Sequence, residues 1–198
     1  LNYRFIKRTF KGPTNSFVLS TYPRLIEVLK QVKFDIIVYE SLEALGLLSG
    51  IIKRYNSSAV HLYDAHNVDS NLWTQQADAS KDVKYKNYAE SALKTEKELH
   101  KKVDAVFCCS NDDYSQLNSL NKYRLKGEII PNGVDINSRP FDANPNKYLY
   151  KNIIFCGSLD YYPNKEGLLW FYENAFHELK ITIPNITLTV IGNVTDVA

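Results

Sequence analysis

Short runs of β-branched and aromatic residues alternate along the chain with segments whose apolar residues recur at helical spacing, and this alternation limits the fold more than any other feature. Asp35-Ile-Ile-Val-Tyr39, Ala59-Val-His-Leu-Tyr63, Asp104-Ala-Val-Phe-Cys-Cys109 and a short run over 126–130 read as strands. Between the first two, 41–55 carries Leu42, Leu45, Leu48 and Ile52 on one helical face. Strand, helix and strand in succession predict parallel pairing, because the chain crosses back over the sheet before the next strand begins. Apolar strands of this kind are expected to be buried on both faces. The predicted class is α/β.

A long helical stretch, 69–102, separates the second and third strands, with apolar positions at Tyr85, Tyr88, Ala89, Ala92, Leu93, Leu99 and Val103. Glu96 falls on the same face and is read as a buried carboxylate paired with a nearby base. Pro131-Asn132-Gly133 marks a turn, and the domain boundary is placed there, giving 1–130 and 131–198. A surface loop over 137–151 leads to a strand at 152–156, a helix over about 164–180 bearing Leu168, Tyr172, Ala175, Phe176 and Leu179, and a strand at 186–191. The chain opens on Leu1, contains no methionine and ends a few residues past that strand, so a piece of a longer protein is expected.

With 198 residues there is enough chain for one sizeable core, or for one domain and part of another. No apolar run approaches 18 residues, so no membrane span is expected. Cys108, Cys109 and Cys156 fall in predicted strands without metal-ligand spacing and read as small buried hydrophobes of a reducing, cytoplasmic compartment. The net charge is +2, with 19 basic and 15 acidic residues up to residue 130 and 5 and 7 beyond it. That asymmetry is too small to imply nucleic acid; it suits a solvated face, and at most a weak peripheral contact with anionic lipid at the inner membrane.

Three places carry candidate chemistry. Asp64-Ala-His66-Asn67 follows a strand directly, where ligands of open α/β sheets bind, and an imidazole there can hydrogen-bond a sugar or phosphate or move a proton. Equally, His66 and Asn67 can cap the following helix, with Asp69 and Ser70 in its first turn. Ser110-Asn-Asp-Asp113 fits a capping box, although Ser110 also lies on the crevice side. Gly157-Ser158-Leu159-Asp160 describes a strand, a sharp turn and a helix start, a junction that favours phosphate; Asn164 after Pro163 is the expected N-cap, and Lys165 adds a point charge. There is no G-x-G-x-x-G and no P-loop, which removes support from dinucleotide oxidoreductases and nucleoside triphosphatases.

Taken in order, Asp64-Ala-His66-Asn67, Lys102-Val-Asp-Ala-Val-Phe-Cys-Cys-Ser110, Ile130-Pro-Asn-Gly-Val-Asp135 and Phe155-Cys-Gly-Ser-Leu-Asp160-Tyr-Tyr-Pro-Asn164 resemble the GT-B retaining glycosyltransferases of family 4, in the branch of polysaccharide and lipopolysaccharide assembly. The resemblance implies two Rossmann-like parallel-sheet domains, both incomplete in this chain, facing each other across a cleft. It implies a nucleoside diphosphate sugar as donor, a glycan or lipid-linked acceptor, no cofactor and no metal. His66 would approach the donor sugar and its phosphate, Gly157 and Ser158 would line the diphosphate turn, and Asn132 and Gly133 would lie in the interdomain crossing. Two departures are plain: Ser158 stands where many members carry Arg, and Lys165 follows the turn glycine by eight positions rather than the usual spacing. The Glu-x7-Glu donor motif would lie beyond Ala198 and the N-terminal glycine-rich loop before Leu1. The alternative is a noncatalytic α/β remnant or interaction subunit of the same ancestry.

Overall fold

The computed structural model describes residues 22–138, 146, 149 and 151–193. Contacts divide the chain into two compact units between Val134 and Asp135. Most of the loop expected over 137–151 lies outside the described residues.

In the first unit the described elements run α1 (Tyr22–Gln31), β1 (Ile36–Tyr39), α2 (Leu42–Tyr55), β2 (Val60–Ala65), α3 (Asp69–Ser80), α4 (Val83–Glu96), α5 (Leu99–Lys102), β3 (Ala105–Cys108), α6 (Asn111–Leu120) and β4 (Gly127–Ile129). The four strands form one parallel sheet in the order β1-β2-β3-β4, with Tyr39 beside Tyr63, Tyr63 beside Val106 and Cys108 beside Ile129. Tyr39, Tyr63, Ala65, Val106 and Cys108 therefore share one face, where they meet Leu42, Leu45, Leu48 and Ile52 of α2 in a continuous core. On the opposite face Ile36, Val38 and Val60 are exposed, so these strands are not buried on both faces as their composition suggests. The period-2 alternation of a strand, not its overall apolarity, decides which residues meet the described helices.

The stretch over 69–102 is three helices, not one. Lys81 closes α3 in the left-handed region at φ 57°, its N–H bonded to the Ala77 carbonyl at 2.9 Å, and Asp82 opens α4 by accepting from the Lys84 N–H at 2.8 Å. That break turns the stretch into a hairpin and moves Tyr85 and Tyr88 off the core stripe. They pack instead on Trp73, which stacks on Tyr85 at 5.9 Å and meets Tyr88 edge to face at 5.5 Å.

The second unit contributes β5 (Asn152–Cys156), α7 (Tyr162–Phe171), a π-helical turn (Tyr172–Phe176), α8 (His177–Thr182) and β6 (Thr187–Ile191). Its strands pair in parallel from Asn152 beside Thr187 to Cys156 beside Ile191. The helix begins two residues before its expected start, and a wide turn interrupts it, with Tyr172 stacked on Phe176 at 5.8 Å. Among the cysteines only Cys108 matches the reading of a buried hydrophobe; Cys109 lies just past β3 and is half-buried, and Cys156 is exposed. No described helix is long and apolar enough to cross a membrane.

Candidate functional site

Because β1 to β4 are parallel, the residues that follow them converge on one edge of the sheet: Glu40 after β1, His66 after β2, Cys109 and Ser110 after β3, Asn132 beyond β4. The convergence is direct for two of them, since Cys109 Sγ reaches Asn132 Oδ1 at 3.8 Å. This edge is where ligands of open parallel sheets bind.

His66 and Asn67 are both exposed, in a two-residue loop held at each end by a buried side chain, Ala65 at 0% exposure and Val68 at 4%. Neither residue caps the following helix. The N-cap of α3 is Val68, which has no side chain able to accept a hydrogen bond, so His66 and Asn67 are left free of that structural duty. Three residues after His66 stands Asp69, whose carboxyl is pushed up to about 6 by burial and by the carboxylates of Glu96 and Glu43, with His66 opposing the shift.

Glu96 is fully buried, but among the described residues it pairs with no base. Its Oε1 accepts the Ser70 N–H at 3.1 Å, and no ion pair of Glu96 forms among the described residues. Burial raises its carboxyl above the usual range, against hydrogen bonding from Ser70 and from the Asp69 backbone. Ser110 is the N-cap of α6 as the spacing predicts: Oγ accepts the Asp113 N–H at 3.1 Å and donates to Asp113 Oδ2 at 2.6 Å. Asn132 and Gly133 are exposed.

In the second unit the turn after β5 is shaped by glycine. The Gly157 N–H continues the ladder to the Ile191 carbonyl at 2.9 Å, and the Leu159 N–H reaches the Asn193 carbonyl at 2.9 Å. A Cβ on Gly157 would meet the Asn164 amide nitrogen at 2.8 Å. Asn164 is not the N-cap: that place belongs to Tyr161, which makes no side-chain cap bond. Pro163 supplies a preset φ in the first turn, so the helix starts ahead of Asn164, whose Nδ2 donates back to the Ser158 carbonyl at 3.0 Å. Ser158 is half-buried and Lys165 exposed.

Asp69, Glu43 and the true partner of Glu96 were not legible as site features, because the contacts that bury them join helices far apart in sequence. The one local signal was the position of Asp69, in the first turn after His66.

A pocket of about 520 Å³ runs along the α3–α4 hairpin past Ser70, Asn71, Lys81, Lys86 and Leu93, and His66 does not line it. No curated protein matches the chain. The model of the family described as Glycosyltransferase Family 4 matches residues 2–138, more than half of the sequence, and takes in the His66 loop, Ser110 and Asn132. With its parallel Rossmann-like sheets, the chain belongs to glycosyltransferase family 4.

Proposed function

We propose that the protein transfers a sugar from a nucleoside diphosphate sugar to a glycan or lipid-linked acceptor with retention of configuration. The observation that carries this reading is the family match over 2–138, together with an exposed imidazole at the carboxyl edge of the matched sheet. His66 is assigned to the donor sugar and its phosphate, where an imidazole hydrogen bond gains strength as the leaving group takes up charge. Within the second unit Gly157, Ser158 and Lys165 are assigned to the diphosphate. Ser158 brings no charge, and the Gly157 and Leu159 N–H groups are already bonded to the Ile191 and Asn193 carbonyls, so the start of α7 and Lys165 carry more of that task.

In the transfer the bond between the anomeric carbon and the diphosphate oxygen breaks, the acceptor oxygen bonds that carbon, and the acceptor's proton leaves with the nucleoside diphosphate. Helix dipoles and basic side chains offset the leaving-group charge in this scheme. The 1–130 part is assigned mainly to the acceptor and the 131–198 part mainly to the donor nucleotide, in a cytoplasmic setting that permits weak contact with anionic lipid.

A thermal-shift panel of UDP-, GDP- and ADP-sugars on the full-length protein tests the reading. A donor at about a hundred times its Kd adds about 2.7 kcal/mol to the folded state and raises the melting temperature. His66→Ala is expected to lower kcat about a hundredfold with the fold intact. A protein unmoved by every donor, or a His66→Ala variant with full turnover, rejects it.

A further inference from the structure

The start of α3 is secured from outside the helix. Asn71 and Leu72 turn their N–H groups back to the Val68 carbonyl at 3.1 and 3.2 Å, but Ser70, at the second helical position, has no partner there; Glu96 Oε1 of α4 supplies it at 3.1 Å. A carboxylate on a first-turn N–H acts as a cap, satisfying an orphan donor and setting negative charge at the positive end of the helix. Here the cap is borrowed from a residue 26 positions away. Glu96 is itself held in place: Asn121 Nδ2 donates to its backbone carbonyl at 2.7 Å and to the Leu117 carbonyl at 2.8 Å, while Asn121 Oδ1 accepts the His100 N–H at 3.1 Å.

As a stability device this arrangement is poor. The second oxygen, Oε2, is buried without a hydrogen-bond partner among the described residues, and an apolar side chain of similar volume would spare its desolvation. What the arrangement does achieve is a fixed first turn of α3, from which the buried N-cap Val68 and then His66 and Asn67 lead back to the buried end of β2.

We infer that Glu96 is a positioning residue for His66, clamping the first turn of α3 so that the two-residue loop presents the imidazole in one direction. The inference rests on the reading that His66 meets the donor. It separates Glu96 from a catalytic residue, since its carboxylate is spent on the Ser70 N–H.

The test follows release of UDP, GDP or ADP from the corresponding sugar nucleotides by the full-length protein, with melting curves for every variant. Glu96→Ala removes the acceptor, Glu96→Asp keeps the charge but draws it back by one methylene, and Glu96→Gln keeps an acceptor oxygen at full reach. Glu96→Ala and Glu96→Asp are expected to lower kcat by about tenfold to a hundredfold with little change in KM, as a misplaced reacting group does. Glu96→Gln is expected to restore most of the rate, and His66→Ala/Glu96→Ala to be no slower than His66→Ala alone. A folded Glu96→Asp variant at wild-type speed, a Glu96→Gln variant as slow as Glu96→Ala, or full additivity in the double variant overturns the inference. So does failure of both shortened variants to reach a native melt, which makes the loss structural. Should His66→Ala keep full turnover, or the wild type release no nucleotide, the failure belongs to the role given to His66, and the positioning role falls with it.

Discussion

The two compact units start their helices by different means. In the first, side chains do it: Ser41 accepts the Ala44 N–H at 3.0 Å, Asp82 that of Lys84 at 2.8 Å, Ser110 that of Asp113 at 3.1 Å, and Glu96 that of Ser70. In the second, α7 starts at Tyr162 behind the N-cap Tyr161, with Pro163 in its first turn and no side-chain cap, and the turn before it depends on missing side chains, since Gly157 and Gly192 pack backbone on backbone. The first unit also encloses Leu42, Leu45, Leu99, Val106 and Leu117 completely, whereas Phe176 and Ile186 are the buried apolar residues among the described part of the second. Position at the first unit's sheet edge is thus set by packed and capped side chains. At the second unit's turn it is set by how closely two strands' ends approach.

The largest effect that this contrast predicts is in the cores. Leu45→Ala, at a site with no exposure, is expected to destabilise the protein by about 3 kcal/mol, the transfer of the lost methyls plus the cavity left behind. Leu169→Ala, at 45% exposure in α7, is expected to change stability by less than about 0.5 kcal/mol. Urea unfolding of the full-length protein measures both. Equal losses would erase the distinction, showing that α7 rests on a core its exposure does not reveal.

A smaller effect sharpens the account of the turn. A Cβ on Gly192 would stand 1.8 Å from the Gly157 carbonyl oxygen, a backbone atom that can retreat only by breaking the pairing of β5 and β6. Gly192→Ala is therefore expected to cost about 2 kcal/mol, at the level of overpacked cores. Gly133→Ala, where nothing stands within 4 Å and φ is not positive, is the matched control and is expected to be neutral within about 0.5 kcal/mol. A silent Gly192→Ala would mean that these strand ends are not closely packed.

The same contrast explains what the sequence allowed to be read. Ser41, Ser110 and the leucines of α2 act within one turn of their own helix, so spacing alone exposed α2 and the cap at Ser110, while α1 was not foreseen. The parallel sheet followed from the order of strands and helices, and the strand positions came out within one or two residues, β2 running on to Ala65. The break at Lys81 was missed because a lysine in the left-handed region leaves no compositional mark, unlike glycine. Asn164 was misplaced as an N-cap for a related reason: Pro163 and Asn164 both favour a helix start, and their order did not say which one stands inside. The partner of Glu96 was out of reach, since a buried carboxylate usually signals a base and only the fold brings the Ser70 N–H to it. His66 was legible as a candidate from its place after a strand, but its freedom from capping was not.

The most modest of the predicted effects concerns pH and lies in the first unit, where the carboxylates cluster behind His66. Asp69 faces Glu96 from α4, Glu43 from α2, Tyr63 from β2 and His66 from its own loop. Its folded pKa, about 6 against an ordinary 3.8, is raised, so the folded state binds the Asp69 proton more tightly than the unfolded chain does. The contribution is thus fully present below pH 4 and is lost as pH rises to 6. Asp69→Asn removes the charge that becomes unfavourable over that window while keeping the side chain's shape. The variant should match the wild type near pH 4 and exceed it at pH 7 by on the order of 1 to 2 kcal/mol. His61, buried and hydrogen-bonded to Tyr39 Oη at 3.0 Å, gives an opposite slope, because burial lowers its pKa and protonation as pH falls favours the unfolded chain. That slope is common to both proteins and cancels in their difference. Urea midpoints of the pair at pH 4, 5, 6 and 7 decide the matter: a gap that widens with pH places the strained carboxyl at Asp69, while a constant gap removes it from the acidic cluster.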